Sequence, residues 1–430
     1  MAPLLFSVRI PTLLAIFWRK WFGRTGPMPE APANPRSIIL YRLDQLGDVV
    51  LTTPLFRELR RMYPCARCTV VVQAAHRAIL TTNHNVDEIL TLREIEVKWL
   101  PDRARRLVSA LWFFWTRLRG RRFDLAISAR WDVDESLATM LCVLTNVGTR
   151  VGHSEHVSEA KRRVNRGFDG AFDLVVQPGP VKHEVDRNLE IVEALGGRVE
   201  DRGLEICLTS NDRKFASELL KHHDGSRILV AIGIGGRASS RKWPLKRYAE
   251  LIARLNRHHA VQPIFVCARE ENSEATELAD MVPVRPYILS GVPLRATCAV
   301  LERCDLFVGN DSGTAHLAAA MVCPTVVVSR HPQGGDPDHP NSPARFGPRC
   351  LHHLVVQPLD GAGDCTTSCR SSEPHCIKLV TVEMVVEAAL DLLGGEPRVA
   401  VRQNATHYGV IPVVVRVADE VSVLKAAGVL

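Results

Sequence analysis

Short apolar runs alternate along the chain with longer mixed stretches. SIILYR at 37–42 predicts a buried strand, followed by a loop around Gly47 and a helix from about Asp48 to Tyr63. CTVVVQ at 68–73 and FDLAIS at 123–128 predict two further strands. A second series begins with strand and loop at 227–236 (RILVAIGIGG), then a helix over WPLKRYAELIARLNRH with Pro244 near its first turn. Strands are expected at 261–268 and 305–310, a helix at 314–322, a strand at 325–329 and a last helix at 381–393. Strand, helix, strand in succession is the arithmetic of a parallel sheet with helices on its faces. The two series, separated by a polar stretch near 176–190, predict two similar doubly wound α/β domains facing each other. In such sheets ligands sit at the carboxyl ends of the strands.

The 430 residues exceed one ordinary core. With 46% hydrophobic and 23% charged residues, neither a disordered nor a fibrous chain fits. The net charge of +7 is too small and too mixed to indicate a nucleic-acid binder, but it permits attraction to anionic surfaces. Twelve cysteines, most of them in apolar runs, indicate reduced, intracellular usage. At the N-terminus the longest uncharged apolar stretch, Ile10 to Trp18, is too short to span a bilayer, which takes about 20 residues. Arg9 splits the apolar run, and Trp18 and Trp21 lie among Arg19, Lys20 and Arg24. This reads either as a peripheral helix on an anionic inner leaflet or as a mis-started or disordered leader. A Pro-rich linker over 25–35 then places the start of the folded part near Arg36.

Three segments carry candidate chemistry. Residues 42–54 (RLDQLGDVVLTTP) follow a strand and open a helix; Asp48 there is either a plain helix cap or a cleft carboxylate able to act as a general base. Gly309–His316 ends a strand and opens a small-residue helix. Asp311 or Ser312 can cap it, and the free amides at Gly313 and Thr314 form an anion site that His316 can reach. Residues 235–244 (GGRASSRKWP) combine glycines, Ser239, Ser240 and the cations Arg237, Arg241 and Lys242, which fits phosphate binding or a solvated basic loop. Neither half holds a strict G-x-G-x-x-G or P-loop.

Taken in this order, the three segments resemble glycosyltransferase family 9, the ADP-heptose:lipopolysaccharide heptosyltransferases. Residues 42–54 match its R-L-s-s-x-G-D-v-v-x-t-t-P opening, Lys242–Pro244 its K-x-W-P loop and Asp311–Ala320 its D-[ST]-G-x-x-H-l-a-a-a loop. The likeness spans residues 37–393. It implies a GT-B fold and inverting transfer from ADP-heptose to the lipopolysaccharide inner core, with no cofactor and no catalytic metal. It also implies roles: Asp48 as base on the acceptor hydroxyl; Lys242, Ser239, Ser240, Ser312, Gly313, Thr314 and His316 around the donor phosphates; Asp311 at the donor sugar; and Glu271, or less well Glu270, on the ribose. The implied arrangement is a leader over 1–36, an acceptor-side domain over 37–188, a nucleotide-sugar domain over 189–396 and a tail of unknown role over 397–430. Partners would be the nucleotide sugar, the core acceptor and an anionic membrane, not nucleic acid. The place would be the cytoplasmic face of a bacterial inner membrane. A transferase of another nucleotide sugar, or a non-catalytic binding protein of the same fold, are the alternatives.

Three features depart from that pattern or lie outside it. Residues 330–340 (RHPQGGDPDHP) are longer and richer in His and Asp than the family's stretch, which predicts a mobile loop beside the donor and leaves the donor sugar open. Residues 97–122 interleave eight cations with Leu111-Trp112-Phe113-Phe114-Trp115, which suits a membrane interface, an RNA or merely a solvated helix. Cys365, Cys369 and Cys376, with Cys350 upstream and His375 adjacent, do not follow a standard zinc spacing; reduced loop thiols are expected, a structural metal being the less favoured reading.

Overall fold

The computed structural model describes residues 9–22, 31–95, 101–223, 225–365 and 367–394. The tail from 397, Arg24 and Lys98 lie outside the described residues.

Twelve strands among these residues form two six-stranded sheets, all of whose pairs are parallel. The first runs β3-β2-β1-β4-β5-β6, from β1 (Ser37–Arg42), β2 (Arg67–Gln73), β3 (Glu88–Leu92), β4 (Arg122–Ser128), β5 (Asn146–His153) and β6 (Leu174–Val176). The second runs β12-β11-β10-β7-β8-β9, from β7 (Ile228–Gly233), β8 (Val261–Cys267), β9 (Tyr287–Ser290), β10 (Leu306–Asn310), β11 (Thr325–Val328) and β12 (His353–Val356). Counted within its own domain, each sheet has the order 3-2-1-4-5-6, so the two halves share one topology. The strand order reverses between β1 and β4 and between β7 and β10. The loops leaving β1, β7 and β10 are the three chemical segments, and the fold sets them at its ligand-binding switch points.

The strands read as unbroken apolar runs because both faces are covered. Ile38 and Leu40 join the core between the domains, while Ile39 and Tyr41 join the outer core of the first domain. In β7, Leu229 and Ala231 face the shared core, and Val230 and Ile232 the outer one.

Several elements differ from expectation. The helix expected over 48–63 is two, Leu46–Leu51 and Thr53–Met62. Pro54 has no N–H to continue the ladder, and Thr52 Oγ1 donates back to the Asp48 carbonyl at 2.7 Å. The folded part starts before Arg36: the helix Ile10–Phe22 packs with Ala15 and Ile16 buried against the outer core that includes Leu141 and Phe168. The expected domain break at 188/189 falls inside the helix Glu184–Ala194, whose Val185, Leu189 and Val192 lie in the shared core.

Candidate active site

Arg42, the last residue of β1, is fully buried and is the hub of the first segment. Its guanidinium donates to the Ala129 carbonyl at 2.7 Å and to Glu184 Oε1 at 3.2 Å, and lies 3.4 Å from both Asp44 Oδ2 and Asp48 Oδ1. Arg130 adds a second cation, 3.4 Å from Asp44 Oδ1 and 3.7 Å from Asp48 Oδ1. Burial raises the Asp44 pKa against the pull of Arg130 and Arg42. Asp48 occupies the first turn of its helix, and its Oδ2 accepts the Gln45 amide at 3.0 Å. Asp48 therefore caps the helix, with its other oxygen turned to the two arginines.

The second segment meets the first across the domain seam. A Cβ on Gly47 would fall 2.6 Å from His316 Cδ2, and one on Gly313 would fall 3.1 Å from Leu46. Both helices can approach this closely only because each carries glycine at the contact. His316 is buried, which lowers its pKa against the opposing pull of Asp311 and Asp48, and its Nδ1 has no partner. Ser312 stands at the N-cap of the helix Gly313–Ala320, yet its hydroxyl makes no cap bond and is buried without a partner. The helix start is thus left open to an anion.

A cavity of about 250 Å³ adjoins that helix start, lined by Gly235, Gly236, Arg237, Cys267, Ala268, Glu271, Ser312 and Thr314. Glu271 accepts the amides of Gly236 at 3.1 Å and Ala268 at 3.0 Å. Burial opposes its ionisation, but the Lys242 ammonium and these amides outweigh burial and lower its pKa. Glu271, not Glu270, is on the wall. Lys242 Nζ sits 2.9 Å from Glu271 Oε1 and 2.9 Å from Glu274 Oε2. Burial works against that charge, and the two carboxylates more than compensate and raise the lysine pKa. Arg237 lines the cavity itself. Ser239 and Ser240 point elsewhere: Ser239 Oγ donates to the Ser372 carbonyl at 2.8 Å, and Ser240 Oγ accepts from Arg330 at 2.5 Å. Asp311 pairs with Arg241 at 3.7 Å rather than facing the cavity wall.

Two groups of residues escaped the sequence reading. Asn310 Oδ1 accepts the Trp243 amide and the Tyr248 hydroxyl, each at 2.9 Å, while its amide donates to the Ile234 and Gly235 carbonyls. It ties the end of β10 to the loop after β7. The other group ties the expected mobile loop to the first domain. Asp338 pairs with Arg187 at 2.6 Å, and buried Arg345 reaches Asp132 at 2.9 Å and Glu184 Oε2 at 3.8 Å. Both guanidiniums lie over the Trp131 ring, at 3.4 and 4.7 Å. The segment after β11 is thereby fastened to the first domain. Its only sequence signal is an Arg and an Asp among many.

Two domains of one topology, with a cavity on one side of the seam and a carboxylate on the other, have the two-domain architecture called GT-B. The sequence matches glycosyltransferase family 9 (heptosyltransferase) over residues 111–330. The chain therefore belongs to glycosyltransferase family 9 and is a glycosyltransferase. The lipopolysaccharide core heptosyltransferase OpsX of Haemophilus influenzae is 22% identical over 304 residues, 70% of this chain and 80% of that protein. Lipopolysaccharide heptosyltransferase 3 of Escherichia coli is 23% identical over 285 residues, 65% and 79% of the two chains. Among solved structures, the family 9 glycosyltransferase of Veillonella parvula aligns at TM-score 0.65 with 20% identity, covering 85% of this chain and 99% of that one. The E. coli ADP-heptose lipopolysaccharide heptosyltransferase II aligns at 0.60 with 17% identity, covering 83% and 98%. These structural likenesses establish the fold.

Proposed function

We propose that the protein transfers heptose from ADP-heptose to a hydroxyl of the lipopolysaccharide inner core, with inversion and without a catalytic metal. The observation that carries this reading is the seam at which Leu46 and Gly47, in the same helical turn as Asp48, pack on Gly313 and His316 beside the donor cavity. A donor whose phosphates rest on the amides of Gly313 and Thr314 presents its sugar toward the side that holds Asp48. Asp48 takes the acceptor proton, the acceptor oxygen forms a bond to the anomeric carbon, and that carbon's bond to the phosphate oxygen breaks with ADP taking the electron pair. One base and no carboxylate nucleophile gives inversion. Charge growing on the leaving phosphate is met by helix amides, the Ser312 hydroxyl and Arg237, which need no cation from solution. Lys242 acts on the phosphates or, through its bond to Glu271, on the ribose side. The relatives named above, both lipopolysaccharide heptosyltransferases, support the choice of sugar and acceptor.

The place of action follows the acceptor. Leu14 and Phe17 on the first helix, and Leu111, Trp112 and Trp115 after β3, are exposed, with Arg119 3.7 Å above the Trp115 ring. Both elements pack on the outer core of the first domain. Among the described residues no helix is long and apolar enough to cross a membrane. Such a face suits peripheral docking on an anionic leaflet at the cytoplasmic side.

The test is a donor screen of ADP-heptose against other ADP-, UDP- and GDP-sugars on delipidated core acceptor, with EDTA present and product anomers read by NMR. Transfer from ADP-heptose alone, with inversion, is expected. Transfer only from another sugar, retention, or a loss in EDTA that added Mg²⁺ or Mn²⁺ restores would each overturn the corresponding part.

A further inference from the structure

Beyond β12 the chain runs through residues 357–375 without a helix or strand among the described residues, and closes on the one-turn helix Cys376–Leu379. A stretch this long without regular structure needs something to organise it. Its apolar content does not: Cys365, Cys369 and Cys376 form a small cluster of their own, joined only by Ala362 and separate from the three larger cores. The four ligand atoms of Cys365, Cys369, His375 and Cys376 lie within 4.8 Å of one another. His375 Nδ1 is 3.7 Å from Cys365 Sγ and 3.6 Å from Cys376 Sγ. With metal–sulfur bonds of about 2.3 Å and metal–nitrogen bonds of about 2.0–2.1 Å, a tetrahedral ion separates sulfur from nitrogen by about 3.6 Å. These two spacings are those of a ligand set.

The surroundings agree. The Ala362 amide points at Cys376 Sγ from 3.4 Å. Amides aimed at sulfur are the outer contacts that hold thiolate ligands in place. The backbone turns so tightly that a Cβ on Gly361 would fall 1.7 Å from the Cys365 carbonyl oxygen.

We propose that Cys365, Cys369, His375 and Cys376 bind one thiophilic transition-metal ion, zinc or iron, in a closed structural site. The site buttresses the donor loop. The Ser371 and Ser372 carbonyls accept from Arg330 and Ser239, and the Thr367 carbonyl accepts the Asp336 amide. The ion takes no part in the transfer, since all four protein ligands close its coordination shell. That buttressing consequence rests on the donor cavity assigned above; the ion itself does not.

The test uses the full chain, purified without a metal-affinity tag from cells grown with zinc or with iron. Elemental analysis should find an equimolar ion, and its identity separates the two metals. Cobalt(II) exchanged into the protein should give thiolate charge-transfer absorption. Cys369→Ser should lose the ion; should it fail to fold, denaturing the wild-type protein with a colorimetric chelator present counts the released ion instead. Among folded variants, ADP affinity should weaken about 10–100-fold. Absence of stoichiometric zinc, iron or cobalt, with all four side chains reactive or with a disulfide found between these cysteines, overturns the metal site. An equimolar ion whose loss leaves ADP affinity unchanged overturns the buttressing alone.

Discussion

Gly47→Ala tests the seam between the two domains with a single methyl group. The new Cβ would lie 2.6 Å from His316 Cδ2, whereas carbon atoms rest comfortably at about 3.5–4.0 Å. About 1 Å of movement must therefore be found. The far side offers little room, because His316 is buried on the helix Gly313–Ala320 and that helix is part of the shared core. Overpacking of this kind costs about 1–3 kcal/mol. Gly47 has ordinary helical backbone, so alanine returns about 0.5–1 kcal/mol of helix preference. The net change in stability should be small, about 0–2.5 kcal/mol by these two ranges. Activity should suffer far more, since the displaced groups are the donor's helix start and the turn bearing Asp48. A misplacement of about 1 Å can cost about 100-fold in turnover. Steady-state kinetics beside a urea melt separates the two effects. His316→Ala combined with Gly47→Ala should recover part of the stability loss, because the methyl then has space. Turnover within twofold of wild type in folded Gly47→Ala would refute the claim that this seam sets the geometry of transfer.

Asp48→Asn keeps an oxygen for the Gln45 amide but cannot take a proton; turnover should fall about 10²–10⁴-fold with ADP affinity unchanged by calorimetry. Lys242→Ala should weaken ADP by about 1.5–3 kcal/mol, the usual worth of a charge-assisted contact, whereas unaltered affinity would leave Lys242 as a prop for Glu271 and Glu274. His183 accepts the Val185 amide at Nδ1 and meets the Gly347 carbonyl at Nε2, and burial, with Arg349 adding to it, lowers its pKa to about 3. The unfolded chain takes that proton near pH 6.5 and the folded one only near 3, so this contribution to stability is full above about 6.5 and drains away on acidification. Denaturation at pH 7 and about pH 4 should show a smaller acid loss for His183→Asn than for wild type. Replacing Trp112 and Trp115 by Ser should release the protein from anionic vesicles while leaving activity on a soluble acceptor; vesicle binding that does not respond would remove that face from membrane docking.

The central strands were legible because they are long, apolar and covered on both faces. Those the sequence hid are mostly half-buried or broken by polar residues: β3 (EILTL) at a sheet edge, β9 (YILS), and β5 (NVGTRVGH) with Gly148, Arg150 and Gly152 inside it. The site was legible where one motif brings its residues together. Asp48, Ser312, Thr314 and Glu271 stand beside the seam or the cavity because a strand end and a helix start confine them. Ser239, Ser240 and Lys242 are near in sequence, but their partners arrive from residues 330, 372, 271 and 274, and no local pattern announces which of several acceptors wins. Asn310 was invisible for the opposite reason: one buried amide saturates four groups from three segments. The Arg42–Glu184–Arg345 connection joins positions so far apart that only the folded chain reveals it.

That connection has a thermodynamic consequence. Glu184 is shared: one oxygen serves Arg42, which in turn contacts Asp48, and the other faces Arg345, which holds the segment after β11. A ligand that moves Arg345 changes the company Glu184 keeps, and so the arrangement around Asp48. The coupling runs equally in reverse, because linkage between two binding equilibria is symmetric. A ligand bound beside Asp48 and one bound beside Arg345 therefore change each other's affinity by one common factor.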